Sequence, residues 1–258
     1  MIMIKYDEIF LPLDKPFDML KHGKQLETGK VNLLGFGFDG TACFRKGTVL
    51  GPEAIRNASS GLESYSPYLD ADLEELSEYM QDLGDLRVSA TGTTTENYLV
   101  ATKNLSQYIS TQNLKLTQTK FLLIGGEHSV SYGQIREYLH QYKDLAILHL
   151  DAHADLRDGY QGYYYSHASI MRRCLDHFEP THQLMQYGIR SGTKSEYQWM
   201  QKHNTLITNR ENLIEQLENI SNTRPIYLSL DFDFFDPSFF QVPARQNQGE
   251  KTFIFSSK

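Results

Sequence analysis

Short, nearly unbroken apolar runs recur along the chain, separated by longer stretches in which apolar residues return every three or four positions. Val31-Asn32-Leu33-Leu34-Gly35-Phe36, Phe121-Leu122-Leu123-Ile124, Leu145-Ala146-Ile147-Leu148, Met185 to Arg190 and Ile226-Tyr227-Leu228-Ser229-Leu230 read as strands. Runs this apolar fit strands covered on both faces, as in a parallel sheet. Leu83-Gly84-Asp85-Leu86 reads as a short edge strand and turn. Between the strands the spacing predicts a helix from about Pro52 to Ser59, with proline in its first turn, where its missing N–H costs nothing. A second helix is predicted over Glu96 to Thr111, with Leu99, Val100, Leu105, Tyr108 and Ile109 facing inward. A third runs from Ser129 to Tyr142 with Val130, Ile135, Tyr138 and Leu139 on its apolar side, and Met200 to Leu217 makes one helix or two. Strands alternating with helices make an α/β fold with a mainly parallel sheet. Residues 1–30 are polar and irregular, with Pro12 and Pro16 opposing regular structure, and read as an arm on the surface or on a neighbouring subunit. No linker-like segment interrupts residues 31–239, which read as one domain.

The chemistry sits where the strands end. The run Leu145 to Leu148 leads through His149-Leu150 into Asp151-Ala152-His153-Ala154-Asp155. On an extended backbone alternate side chains share a face, so Asp151, His153 and Asp155 can converge. Phe121 to Ile124 runs into Gly125-Gly126-Glu127-His128, and Ile226 to Leu230 runs into Asp231-Phe232-Asp233. Any one of these alone would read as a solvated turn. Three together, each at the carboxyl end of a strand where open parallel sheets bind ligands, read as a metal site. His128, or Glu127 beside it, is the candidate from the first strand, and with Asp151, His153, Asp155, Asp231 and Asp233 it makes four aspartates and two imidazoles. Carboxylate and imidazole without thiolate suit Mn, Mg or Zn, with the carboxylate excess favouring harder ions. Six such ligands are enough to bridge two divalent ions. The glycine-containing segment from Asp39 lacks the phosphate-loop and dinucleotide patterns.

Charge and composition narrow the partners. A net charge of −7 and a pI near 5.7 leave no footprint for nucleic acid or an anionic membrane. Cys43 and Cys174 stand far apart and outside any Cys-x-x-Cys pattern, as expected for reduced thiols of a cytoplasmic protein. The N-terminus lacks the features of a signal peptide, and no apolar stretch approaches membrane-spanning length.

The motifs Gly125-Gly126-Glu127-His128-Ser129, Asp151-Ala152-His153-Ala154-Asp155 and Ser229-Leu230-Asp231-Phe232-Asp233-Phe234-Phe235-Asp236-Pro237 resemble those of the ureohydrolases, the family of arginase and agmatinase. Gly47 to Arg56, Leu62 to Leu69, Ser166-His167-Ala168-Ser169 and Gly188-Ile189-Arg190-Ser191 resemble its agmatinase branch, and the likeness runs from about Asn32 to Phe239. The resemblance implies a three-layer αβα fold around a central sheet and a site for two Mn²⁺ ions. It favours His128 over Glu127 as ligand. His128, Asp151, Asp155 and Asp231 would hold one ion or bridge both, while His153 and Asp233 would complete the second. It gives Asp155 a role in moving the proton from the attacking water to the leaving amine, and sets His167 beside the substrate as a second proton-handling group. Arg190 is expected to be structural or to lie at a subunit contact. The implied reaction is agmatine and water to putrescine and urea, with guanidinobutyrate or formiminoglutamate as alternative substrates. The implied assembly is a homotrimer or homohexamer. A zinc deacetylase of related fold would use one metal and would not need six ligands.

Past Ser238 the resemblance breaks. The family continues with Pro-Gly-Thr-Gly-Thr-Pro-Glu-Pro-Gly-Gly and a further strand and helices, whereas this chain reads Phe240 to Lys258 without periodicity. Joining the third base of each codon from Phe239 onward to the first two of the next permits the family motif. Residues 240–258 are therefore expected to be an out-of-frame tail, with the substrate-binding Glu encoded across Gln246 and Asn247 and a sheet strand beside the last ligand strand lost. On that expectation the alternative is a catalytically inactive, truncated ureohydrolase, a reading that intact ligands with a missing substrate carboxylate and strand favour for this chain.

Overall fold

Eight short parallel strands carry the architecture of this computed structural model, which describes residues 5–236 and Ser238. They fall in two compact units that divide between Glu137 and Tyr138, where composition shows no linker. The first unit holds β1 (Lys21–His22), β2 (Val31–Phe36), β3 (Met80–Asp85) and β4 (Lys120–Gly125), in the spatial order β1-β3-β2-β4. The second holds β5 (Ala146–Leu150), β6 (Gln183–Tyr187), β7 (Leu206–Ile207) and β8 (Ile226–Leu230), in the order β8-β5-β6-β7. Every pairing in both sheets is parallel. The α/β, parallel-sheet class expected from the apolar runs is thus present. The helices connecting them are α1 (Gly51–Ser59), α2 (Thr94–Ser110), α3 (Tyr132–Gln141), α4 (Ile170–Leu175), α5 (Lys194–His203) and α6 (Arg210–Glu218). The division between the units falls within α3. Among the described residues no helix is long and apolar enough to cross a membrane.

In the first unit the sequence reading needs three corrections. The strand around Leu83 begins earlier, at Met80, and lies inside the sheet between β1 and β2 rather than at its edge. Its polar residues Gln81 and Asp82 are buried, so no apolar pattern announces them. Arg56 of α1 meets Asp82 with Nε to Oδ2 at 2.7 Å and Nη2 to Oδ1 at 2.9 Å, and it reaches Asp85 with Nη1. The backbone N–H groups of Phe17 and Gly84 also donate to Asp82. The first 30 residues are not merely a surface arm. Ile9, Phe10 and Leu20 are buried, Phe10 meets Tyr108 edge-on at 5.1 Å, and β1 pairs with Gln81 and Asp82. Finally, α2 buries Tyr98, Ala101, Thr102, Leu105, Tyr108 and Ile109, while Leu99 and Val100 stand exposed. A stripe that uses a tyrosine body and a threonine is rotated from the one the aliphatic residues suggest. The start of α2 is fixed by a capping box, in which Thr93 and Glu96 satisfy each other's backbone N–H.

In the second unit, Ala146, Met185 and Ile207 form a core over which Leu148, Tyr187, Leu213, Leu217 and Ile220 pack. The apolar and amphipathic stretch from Met200 resolves into α5, the two-residue β7 and α6. The register matters most for the site. Leu150 of β5 pairs with Leu230 of β8 and with Tyr187 of β6, so the three strands end level. Among the described residues β8 pairs with β5 alone and forms the sheet edge. Its Tyr227 and Ser229 are buried, whereas Ile226, Leu228 and Leu230 are 45%, 56% and 41% exposed. The tail from Phe239, including the positions at which the family's Glu was expected, lies outside the described residues.

The Arg56–Asp82 pair is buried on both sides, at 3% and 0% side-chain exposure. Arg56→Leu strands a buried carboxylate and is expected to cost about 3–5 kcal/mol, read as a lower urea midpoint for the metal-free chain.

Candidate metal centre

Because β5 and β8 stop at the same height, Asp151 and Asp231 leave their strands side by side. The Asp231 N–H donates to the Leu150 carbonyl at 2.9 Å, and the Asp151 N–H to the Tyr187 carbonyl at 3.3 Å. Asp231 then caps a single 3₁₀ turn, its Oδ1 accepting from the Asp233 N–H at 3.0 Å. That turn aims Asp233 back at the end of β5. Its Oδ1 accepts the Ala152 N–H at 3.1 Å, and its Oδ2 stands 2.9 Å from His153 Nδ1. Asp151, His153 and Asp233 offer donor atoms that all lie within 4.8 Å of one another.

A second set shares the first carboxylate. His149, Asp151 and Asp155 also bring donor atoms within 4.8 Å of one another, and all three are buried. Asp155 takes a left-handed backbone, with φ of 54°, which an aspartate tolerates better than most residues. Its carbonyl accepts the Arg172 N–H at 3.0 Å. The first motif lies in the other unit. There His128 opens a 3₁₀ turn after β4, and Glu127 caps it, Oε2 accepting from the Ser129 N–H and Oε1 from the Thr41 hydroxyl. Glu127 thus has both oxygens engaged in holding its own turn, which fits a cap better than a ligand.

His149 did not stand out in the sequence, although the alternation that joins 151, 153 and 155 extends one step back to it. It is fully buried, and its Nε2 lies 2.8 Å from Asp151 Oδ2. The tautomer follows from its neighbours. The Thr205 hydroxyl donates to Gln186 Oε1, so Gln186 Nε2 donates, to the Ala154 carbonyl at 2.9 Å and to His149 Nδ1 at 3.2 Å. With Nδ1 accepting, Nε2 carries the proton and donates it to Asp151. The other oxygen of Asp151 accepts the His153 N–H at 2.7 Å. A buried chain from Thr205, just before β7, through Gln186 of β6 and His149 thus fixes the carboxylate at the end of β5.

The site is arranged for positive charge. Hydrogen bonds to Asp151 and Asp233 push the His153 pKa up to about 10, against the cost of partial burial. Two carboxylates that stabilise an imidazolium this strongly fit a divalent cation, with the imidazole then neutral and ligating. Around them the backbone is pinned. Arg190 donates to the carbonyl oxygens of Asp233, Phe234 and Phe235, which is the structural use expected of it. Gly188 has φ of 96°, and a Cβ there would lie 2.4 Å from the Phe234 ring and 2.9 Å from the Asp151 carbonyl. His167 opens a 3₁₀ turn before α4, with the Tyr160 ring edge-on at 5.7 Å.

Two outcomes test this arrangement. Gln186→Leu removes the donor to His149 and is expected to weaken divalent-ion binding about 10- to 100-fold, measured by competition with a fluorescent chelator. In the metal-free chain, His153 adds stability that is complete below its ordinary pKa of 6.5 and lost as pH rises through about 10. The urea midpoint should fall across that window, and Asp233→Asn should flatten the fall.

The comparisons with known proteins agree with one another. The family model described as the arginase family matches residues 29–244. The agmatinase of Bacillus cereus is 36% identical over 223 residues, 85% of this chain and 73% of that protein. The N(1)-aminopropylagmatine ureohydrolase of Thermococcus kodakarensis is 33% identical over 229 residues, 84% and 71% of the two chains. The crystal structure of the agmatine ureohydrolase of Thermoplasma volcanium superposes with a TM-score of 0.72 at 27% identity, covering 90% of this chain and 75% of that one. Level strand ends bearing paired aspartates and imidazoles, and a match over most of the chain's length, lead to one assignment: this chain belongs to the arginase family and is a hydrolase of the ureohydrolase type.

Proposed function

We propose that the chain hydrolyses a linear guanidino compound, with agmatine and water giving putrescine and urea, using two manganese ions. The observation that carries this reading is the sharing of Asp151 between two sets of groups, one with His153 and Asp233 and one with Asp155, while the His149 Nε2–H donates to Asp151 and orients it. A carboxylate common to two sets is the ligand a pair of ions requires. Asp231, at the end of β8, and His128 are the ligands that the resemblance adds. When bound, the ions supply Lewis acidity that brings the pKa of water towards neutrality.

The chain's own groups set the rest of the chemistry. A guanidinium ion spreads its charge over three nitrogens and resists attack, so the reaction needs a strong nucleophile and a proton for the departing amine. Asp155, buried beside Asp151, is the group that accepts the proton of the attacking water and passes it on. His167, half-buried on the loop after Asp155, handles the proton at the amine side. The net charge of −7 favours a cationic substrate. Work in the cytoplasm as a homotrimer or homohexamer belongs to the same reading. A second reading, an agmatine carrying a longer amine substituent, draws on the relative that acts as N(1)-aminopropylagmatine ureohydrolase.

The test is urea release from agmatine by the manganese-loaded chain. Turnover is expected to vanish on chelation, return with manganese, and fall to background in Asp231→Ala. Urea released by Asp231→Ala at the parent rate, or formamide from formiminoglutamate in place of urea from agmatine, would overturn the assignment.

A further inference from the structure

The loop between Asp155 and α4 is held by a cation that the proposed chemistry does not use. Arg173 of α4 is 2% exposed, yet the groups that compensate its charge lie outside the core. Its Nη2 pairs with Asp158 at 2.5 Å, a carboxylate whose side chain is 78% exposed. Its guanidinium carbon stands 3.8 Å from the centroid of the Tyr164 ring, which is 53% exposed. Asp176, on its own side of the fold, is farther away at 3.7 Å from Nη1. Burying a guanidinium without partners is costly, so the stacked ring and the carboxylate are bound to it as firmly as it is to them.

Both partners belong to the loop, one on each side of a tight turn. Tyr160 and Tyr163 exchange backbone hydrogen bonds at 2.9 Å, and the two residues between them, Gln161 and Gly162, have φ of 49° and 83°. This is the two-residue hairpin turn in which both central residues are left-handed. The loop's ends are also tied: the Leu156 N–H donates to buried Glu196, the Arg157 N–H to the Ala168 carbonyl, and the Gly159 N–H to Ser169 Oγ. The turn is therefore a short stiff lever clamped at Asp158 and Tyr164. At its near end the Tyr160 ring, covered by the Arg157 guanidinium at 4.5 Å, meets the His167 imidazole edge-on at 89°.

We propose that Arg173 is a positioning residue for His167, acting through Asp158, Tyr164 and the Tyr160 ring. The proposal rests on the proton-handling role proposed for His167. The cation on the far side of the loop sets the height of the turn, the turn sets Tyr160, and Tyr160 sets the plane of the imidazole.

The test reads His167 directly, by mass-spectrometric exchange of its Cε1 hydrogen across pH, which needs no turnover, together with kcat and KM on agmatine. Tyr164 is exposed, so its replacement does not threaten the core and covers the case in which Arg173→Met fails to fold. Tyr164→Leu and Arg173→Met are expected to speed exchange at His167 about fivefold or more, leave His140 and His182 unchanged, and lower kcat about tenfold with little change in KM. Tyr164→Phe keeps the ring over the cation and should match the parent in both. Unchanged exchange at His167 in Tyr164→Leu, an equal rise at every histidine, or faster exchange with kcat held at the parent value would overturn the proposal. A parent chain that releases no urea sinks the guanidino reading, and the kinetic half of this proposal with it, while the exchange data still report whether Arg173 sets the imidazole.

Discussion

Asp151 places a carboxylate almost out of reach of water, and everything that solvates it must come from the protein. His149 supplies one hydrogen bond from inside the strand, and the His153 N–H supplies another from just beyond it. Both donors have fixed positions because β5 lies between β6 and β8 in register with each. A buried anion satisfied by fixed donors binds a cation strongly, because little reorganisation is needed to receive it. The rest of the second unit serves this condition. The polar chain through Gln186 and Thr205 runs inward across β6, and the Arg190 clamp holds the opposing turn. Gly188 clears the space in which that turn sits.

How legible each element is in the sequence depends on what burial does to composition. β2 was legible to the residue, because a strand buried between neighbours shows as a nearly uninterrupted apolar run, and β8 reads the same way although among the described residues it pairs on one side only. β3 was only half legible, since Gln81 and Asp82 are buried through hydrogen bonds and an arginine rather than through apolar character. β1, two residues long with both exposed, leaves no periodic trace at all. The rotation of α2 was hidden because Tyr98 and Thr102 bury their carbon skeletons while their residue types read as polar or ambiguous.

The candidate site divides along the same line. Asp151, His153 and Asp155 announce themselves by alternation after an apolar run, and Asp231 and Asp233 by the same device on β8. His149 obeys the alternation too, but a histidine inside a strand reads as an interruption of the apolar pattern until the glutamine in register with it on β6 is known. The left-handed backbone at Asp155 and the turn at Gln161 and Gly162 belong to a segment without any periodicity, where only coordinates reveal which side chains meet. Resemblance, rather than pattern, singled out His167 there.

The edge of the second sheet bears on how the molecule behaves in bulk. The strand that delivers Asp231 and Asp233 is an edge strand among the described residues, with three aliphatic side chains facing water. Such an edge is a template on which a stray extended segment can nucleate, and no proline or lysine within Ile226–Leu230 blunts it. The same five residues thus carry two duties, holding two aspartates beyond their tip and presenting an apolar, unblunted edge along their length.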